Sequence, residues 1–273
     1  MSLQTIGPVV LAGAGKMGLA LARGWLAAGL EPKNLVLVDP NPGEHTITFA
    51  VKTGASLVPN AGGIAPAVLV LAVKPQIIGE VMAQLRPVVG AQTLVVSIAA
   101  GISIAQIATG LGTDRVVRTM PNTPAQIGKG VTGAVAGSGV GADDRQTANA
   151  LLEAAGQVTW FDDETALDAV TAVSGSGPAY VFNLVEALAA AGVAQGLPEE
   201  QAMMLARQTV IGAAYLLEAE PTISAGTLRE NVTSPKGTTA AALEVLMGAE
   251  GFGPLLDRAV TAARKRSEEL GRG

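Results

Sequence analysis

Cysteine is absent from this chain of 273 residues and histidine occurs once. The first absence removes disulfides and thiol nucleophiles. Together they leave no Cys/His ligand set for a zinc centre of the kind some dehydrogenases use, and no metal site is expected. Aromatic residues make up 3% of the chain and charged residues 15%, against 49% hydrophobic, so the core must be built mainly from Ala, Val, Leu and Ile. Positive charge is scarce: 18 Lys and Arg against 23 Asp and Glu give a net charge of −5. With no basic stripe, nucleic-acid binding, which needs clustered Lys and Arg, is excluded. The run Arg264-Lys265-Arg266 is followed by Glu268 and Glu269, the pattern of a solvated helix end. No apolar segment follows a charged start. The stretch Ala187 to Ala194 is too short and too glycine-broken to cross a bilayer. These absences predict a cytoplasmic protein with neither a membrane nor a nucleic-acid partner.

Glycine, by contrast, is abundant at 34 residues, and three of them carry the most informative pattern. The buried-strand run Val9–Leu11 breaks into Gly13-Ala14-Gly15-Lys16-Met17-Gly18 and continues as the helix-like Leu19-Ala20-Leu21-Ala22. In a G-x-G-x-x-G turn the glycines serve a tight turn, close approach of backbone to a pyrophosphate, and close packing of helix on strand. Placed between strand and helix patterns, the motif predicts a dinucleotide site made by residues 13–18; the alternative is a glycine turn that is only structural. Asp39 ends the second strand pattern, 21 residues after Gly18, where a carboxylate would accept bonds from the ribose 2′-OH. A 2′-phosphate there would meet a like charge, at about 4 kcal/mol for each unit-charge pair near 4 Å and an effective dielectric of ~20. NADH is therefore expected over NADPH. The alternative gives Asp39 the opening of the turn Asp39-Pro40-Asn41-Pro42.

The first half alternates strand-like and helix-like segments, as a βαβ array does. Val9–Leu11, Leu35–Val38, Val68–Val73 and Leu94–Ile98 read as buried parallel strands without polar alternation, with further strands at Val116–Arg118 and Val131–Val135. Helical stretches lie around Leu19–Ala28 and Ile77–Leu85. From Glu164 onward strand signals vanish. Val181, Leu184, Val185 and Leu188 share one helix face; further helices are expected from Pro198 to near Pro221, from Thr238 to Met247 and from Pro254 to Leu270. The expected fold is α/β: a doubly wound Rossmann-type parallel sheet over residues 1–162, then an all-helical substrate and dimerisation domain over 163–273. Several of these helices are apolar nearly all round, so a homodimer, or a larger oligomer built from dimers, is expected.

Reduction of a carbonyl to an alcohol calls for a proton donor, commonly His. The one histidine, His45, falls just past the second strand pattern, in an expected surface loop at the adenosine end. A protonated cyclic imine fits better, since it takes hydride to become a neutral amine with no protein acid in that step, and orientation carries the catalysis. Hydroxyls and free amides to hold a carboxylate are supplied by Ser174-Gly175-Ser176-Gly177-Pro178-Ala179-Tyr180 and by Asn231-Val232-Thr233-Ser234-Pro235-Lys236-Gly237-Thr238-Thr239. Each reads as a polar turn directly before a helix, where unpaired N–H groups bind anions; each also reads as an ordinary Ser/Thr cap. Ser176, Thr238 and Thr239 are the candidate hydroxyls.

At these segments the chain resembles the pyrroline-5-carboxylate reductases, which make proline from its cyclic imine with NAD(P)H. Leu71-Ala72-Val73-Lys74-Pro75-Gln76, Arg118-Thr119-Met120-Pro121-Asn122-Thr123-Pro124-Ala125, Asp168-Ala169-Val170-Thr171, Ser174–Tyr180 and Ser234–Thr239 resemble that family's motifs in order. The resemblance implies that Ala72, Val73, Lys74 and Pro75 line the nicotinamide half of the cofactor, with Asn60 nearer the adenosine half and Ala99, Ala100 and Asn122 close to the pocket. Lys74 also reads as a solvated residue at a strand end. The resemblance further implies that Ser234–Thr239 holds the substrate carboxylate, with Thr239 as the contacting threonine, Glu164 as a substrate-side acid and Asn231 as a cofactor-side amide. Where the family has Pro-Gly-Gly, this chain has Pro235-Lys236-Gly237. Lys236 either strengthens carboxylate binding or obstructs a turn that wants positive φ. Two other readings are a β-hydroxyacid or imine dehydrogenase of the same layout, and a non-catalytic redox sensor that binds the dinucleotide.

Overall fold

The apolar runs form strands whose two faces are both covered. In the computed structural model, which describes residues 3–271, the strands are β1 (Val9–Ala12), β2 (Leu35–Val38), β3 (Ser56–Val58), β4 (Val68–Leu71), β5 (Leu94–Ser97), β6 (Val116–Met120), β7 (Gly130–Ala136) and β8 (Gly156–Phe161). They make one sheet in the order β3-β2-β1-β4-β5-β6-β7-β8. Between them lie α1 (Lys16–Ala27), α2 (Glu44–Thr53), α3 (Ile78–Leu85), α4 (Ile104–Leu111) and α5 (Ala142–Glu153). Val9 and Leu11 share one core layer with Leu21, Trp25 and Leu151. Val10 and Ala12 share the other with Ile78, Met82 and Ile107. Burial on both sides is why these strands carry no polar face. Trp25 Nε1 donates to Leu151 O at 2.8 Å, tying α1 to α5.

From β3 to β6 every neighbouring pair is parallel. β7 departs from the expected parallel arrangement by running antiparallel to β6, and β8 then runs parallel to β7. The chain from Met120 to Gly130 holds only a short 3-10 turn, Thr123–Ile127, too little for the crossover that a parallel return needs. β3 and β8 were not expected as strands. β3 has three residues, and Gln157 and Thr159 of β8 face solvent, so neither shows a long apolar run. His45 lies exposed on α2 instead of in a loop.

After β8 come α6 (Ala166–Val170), a π-helical turn over Thr171–Gly175, α7 (Gly177–Ala194), α8 (Glu199–Ala219), α9 (Ala225–Asn231), α10 (Thr238–Leu246) and α11 (Phe252–Gly271). The segment Ser174–Tyr180 is therefore not a turn ahead of a helix, as its composition suggested. Thr171 Oγ1 and Ser174 Oγ donate to the carbonyls four residues back, Leu167 O at 2.7 Å and Val170 O at 3.0 Å, and the helix carries on through its glycines. A Cβ on Gly175 would sit 2.8 Å from Met120 Cε, so close packing explains that glycine. The result is one helix from Ala166 to Ala194, 29 residues and apolar enough by length and composition to cross a membrane. The stretch Ala187 to Ala194 is only its last eight residues. The glycines that were taken to break the helix lie inside it, so its full length was missed.

Two compact units divide the chain. One comprises the residues up to Gly175 with those from Ala263 onward, and the other comprises Ser176–Ala262. The expected boundary at 162/163 lies at the end of β8, whereas the units part at 175/176, because α6 and the π-helical turn pack with the sheet: a Cβ on Gly133 of β7 would meet Val170 Cγ1 at 2.8 Å. The end of α11 belongs with the same unit, where Ser267 Oγ donates to Asp168 Oδ1 at 2.6 Å. Arg264–Glu268 and Arg266–Glu269 pair on its solvated side, as the charge pattern predicts.

Candidate functional site

Strand order reverses at β1, whose neighbours β2 and β4 continue in opposite directions. At such a reversal the loops leave a crevice beyond the carboxyl ends of the strands. The three glycines stand there, each needed for a separate reason. Gly13 has φ +92, and a Cβ on it would lie 2.8 Å from Ala72 C and O and from Val73 Cγ1. A Cβ on Gly18 would lie 2.5 Å from Gly13 O, so α1 rests directly on the turn. A Cβ on Gly15 would meet no protein atom within 4 Å, which leaves its face open to a ligand. Gly15 is also the N-cap of α1, with no side-chain cap bond and no acid in the first turn. The first N–H groups of α1 and the exposed Lys16 thus present positive potential to that open space. This cradle fits the pyrophosphate of a dinucleotide.

Hydrogen bonds brace the cradle from both sides. Gly13 N–H donates to Val38 O at 3.0 Å, Ala72 N–H donates to Ala12 O at 2.8 Å, and Thr46 Oγ1 of α2 donates to Ala14 O at 3.0 Å. Met17 packs partly buried on the core. Asp39, half-buried at the end of β2, accepts the Asn41 N–H on Oδ1 at 2.9 Å. Asn60, exposed after β3, accepts the Gly62 N–H at 3.1 Å. Lys74 is exposed after β4, and Pro75 opens the short 3-10 turn Pro75–Ile77.

The next two strands end in the same crevice. Ala99 is buried and Ala100 exposed beyond β5, where Ile98 N–H donates to Leu71 O at 3.0 Å. Asn122, buried beyond β6, uses both ends of its amide: Nδ2 donates to Ser174 O at 3.2 Å and Oδ1 accepts Val131 N–H at 2.9 Å. Its visible work is to hold the chain after β6 in place. Glu164 Oε1 accepts from Arg118 Nη1 at 2.7 Å and from Ile104 N–H at 2.8 Å. Arg118 was not singled out for the site; its signal was a lone charge at the end of the apolar run Val116-Val117.

Ser176, Asn231, Lys236, Thr238 and Thr239 lie in the helical unit. Ser176 precedes α7 in helical conformation, φ −84 and ψ −22, and makes no side-chain cap bond. Asn231 is the exposed last residue of α9, a helix that ends where a polar turn was expected to begin. Ser234 to Gly237 form a turn closed by Gly237 N–H donating to Ser234 O at 2.9 Å. Pro235 holds its second position and Lys236 its third, at φ +60, the position that type II turns reserve for glycine. Lys236 is the one described non-glycine residue with positive φ. Gly237 caps α10 without a side-chain bond, leaving the first amides of that helix, at Thr238 and Thr239, to an external acceptor. Among the described residues no three His, Cys, Asp or Glu side chains form a group that could hold a metal ion.

A mainly parallel sheet that reverses beside a three-glycine cradle, with a helical unit after it, defines the class of Rossmann-type, dinucleotide-dependent oxidoreductases. A family model described as pyrroline-5-carboxylate reductase dimerisation matches residues 164–270, and one described as NADP oxidoreductase, coenzyme F420-dependent, matches residues 8–101. The pyrroline-5-carboxylate reductase of Pseudomonas aeruginosa is 43% identical over 96% of each chain. The structure of a Coxiella burnetii pyrroline-5-carboxylate reductase superposes with a TM-score of 0.90 at 35% identity, covering 97% of this chain and 99% of that one. That of the Plasmodium falciparum pyrroline carboxylate reductase with NADP bound gives 0.81 at 30% identity, covering 98% and 99%. The chain belongs to the pyrroline-5-carboxylate reductase family.

Proposed function

We propose that this protein reduces 1-pyrroline-5-carboxylate to proline, the last step of proline biosynthesis. The observation that carries the reading is the Gly13, Gly15 and Gly18 cradle in a chain similar to these reductases from end to end. A bound NAD(P)H supplies the hydride. The protein supplies position: residues 13–18 hold the phosphates, Asn60 serves the adenosine side, and Ala72 to Pro75 with Ala99, Ala100, Asn122 and Asn231 border the nicotinamide. Ser176, Thr238, Thr239 and Lys236 receive the substrate, whose carboxylate suits the uncapped start of α10. The protonated imine carbon takes the hydride and its nitrogen becomes a neutral amine, so no protein acid is consumed in that step. This agrees with a chain that has one histidine, on α2.

NADH is the preferred cofactor on the same reading. Asp39 puts a carboxylate at the end of β2, and its turn bond to Asn41 occupies Oδ1 alone. A 2′-phosphate would be repelled there. The working form is a cytoplasmic homodimer or an oligomer of dimers, supported by the matched dimerisation model and by the apolar surface of the helical unit.

The test is oxidation of NADH and of NADPH by purified protein with racemic pyrroline-5-carboxylate, followed by nicotinamide absorbance. Turnover faster with NADH, reversed by Asp39→Ser, is expected. NADPH ahead of NADH removes Asp39 from cofactor choice. No turnover from a folded protein that still binds dinucleotide would overturn the reductase reading in favour of a dinucleotide sensor.

A further inference from the structure

We propose that Glu164 is a positioning residue, which holds the loop Ile98–Ser103 in its dinucleotide-receiving shape through Arg118 and the first N–H of α4, and is not an acid on the substrate. This deepens the reading above and rests on it only for the identity of the ligand. Both bonds to Glu164 fall on Oε1, at 2.7 and 2.8 Å, and occupy the lone pairs of that oxygen. The Arg118 and Glu164 side chains keep only 13% and 29% of their exposure. Arg118 is the register partner of Ser97, the last residue of β5, while Ile104 is the first residue of α4. One carboxylate oxygen therefore ties together the two ends of the loop that carries Ala99 and Ala100.

Other contacts hold that loop but do not duplicate this one. At its start, Thr119 Oγ1 donates to Ser97 O at 2.9 Å and Ile98 N–H donates to Leu71 O at 3.0 Å. At its end, Ser103 and Gln106 form a reciprocal capping box, which satisfies the Ser103 and Gln106 amides and leaves the Ile104 N–H unpaired but for Glu164. A negative charge also suits a helix N-terminus. Gly101 turns the middle of the loop at φ +75, and a Cβ on it would lie 3.3 Å from Leu270 O of α11. Without the Glu164 carboxylate, the Arg118 guanidinium stands unpaired in a largely buried place and the Ile104 amide loses its acceptor. The first change loosens the start of the loop beside Ser97 and the second its end at α4.

Three variants separate positioning from acid chemistry. Glu164→Gln keeps an acceptor for both donors, Glu164→Ala keeps none, and Arg118→Met removes the cation. Calorimetric titration with NADH and NADPH is expected to show Kd raised about tenfold by Glu164→Ala and by Arg118→Met, and by less than about threefold by Glu164→Gln. Without any dinucleotide, amide hydrogen exchange over residues 98–104 accelerates in Glu164→Ala and Arg118→Met and stays near wild type in Glu164→Gln. The pH profile of kcat/KM for pyrroline-5-carboxylate keeps its shape in Glu164→Gln. If Glu164→Ala does not fold, Arg118→Met carries the same comparison. Unchanged Kd and exchange in the variants lacking the pair overturns the proposal. So does a Glu164→Gln enzyme with wild-type Kd, a lost ionisation and about a hundredfold lower kcat. If the wild type binds dinucleotide but leaves the imine unreduced, the substrate reading fails, while Kd and exchange still decide the role of Glu164.

Discussion

The two units of this chain solve burial differently. The sheet unit closes two apolar layers over its strands, and side chains as large as Trp25, Leu37 and Leu69 lose nearly all their exposure. In Ser176–Ala262 the buried residues are three alanines, Ala189, Ala202 and Ala206, where α7 meets α8, while Phe182, Leu205, Tyr215, Leu216 and Met247 stay at least half exposed. Monomeric proteins rarely leave apolar surface of that extent to water. The sheet unit has a core of its own; the helical unit holds half of one. This difference fits the helix Ala166–Ala194, which looks like a membrane span by composition, with 6% of its apolar window buried. The same composition suits a helix covered by a second copy of the chain, as in the dimer proposed above.

The comparison breaks first on matched apolar substitutions. Leu37→Ala removes a side chain with 0% exposure and is expected to cost about 2–5 kcal/mol, by the same amount at every protein concentration when followed by chemical denaturation. Phe182→Glu changes a residue 64% exposed in the single chain, where a surface substitution would cost within about 0.5 kcal/mol. If a second copy covers it, the loss is instead about 2 kcal/mol or more, and sedimentation at micromolar concentration shows the oligomer dissociating. An unchanged oligomer with unchanged stability would put Phe182, and with it the half-core reading of α7, on an ordinary surface.

Gly13→Ala sharpens the same contrast from the other side, because the cradle lies wholly inside the sheet unit. The added methyl meets the Ala72 carbonyl at 2.8 Å in a backbone conformation of φ +92. Dinucleotide Kd is expected to rise at least tenfold, about 1.4 kcal/mol, with the sedimentation profile unmoved. Retained affinity would show that the turn relaxes without closing the phosphate gap.

The sheet unit was also the more legible of the two in the sequence. Period and burial agree there: Val9–Ala12 and Leu94–Ser97 are apolar because both faces are covered. The glycine motif was readable because each glycine answers a local constraint. β8 was missed because an outer strand keeps one wet side, and α9 because seven residues between polar turns show little periodicity. The Ser174–Tyr180 segment, whose first two residues belong to the sheet unit, misled for a physical reason. Ser and Gly are turn formers, yet Ser174 bonds back to Val170 O and Gly175 fits against Met120, so tertiary packing overrides their propensity. The Arg118–Glu164 pair spans 46 residues of sequence, and no local pattern announces such a contact.

The smallest expected effect falls on Lys236, in the helical unit. Its φ of +60 places a side chain where a left-handed conformation costs about 1–2 kcal/mol in an L-residue. Glycine removes that cost but gives back about 0.4–1 kcal/mol through the greater freedom of the unfolded chain. The two terms oppose, so Lys236→Gly is expected to stabilise by no more than about 1.6 kcal/mol in denaturant titration. Activity follows a separate balance. The turn keeps its Gly237 to Ser234 bond and its proline, and the amides at the start of α10 are untouched, so kcat/KM is expected to stay within about tenfold of wild type, or about 1.4 kcal/mol. A larger loss, confined to KM for the imine and weakened by salt, would mean that the lysine charge itself holds the substrate carboxylate, and that this chain tolerates the strained turn in return for that contact.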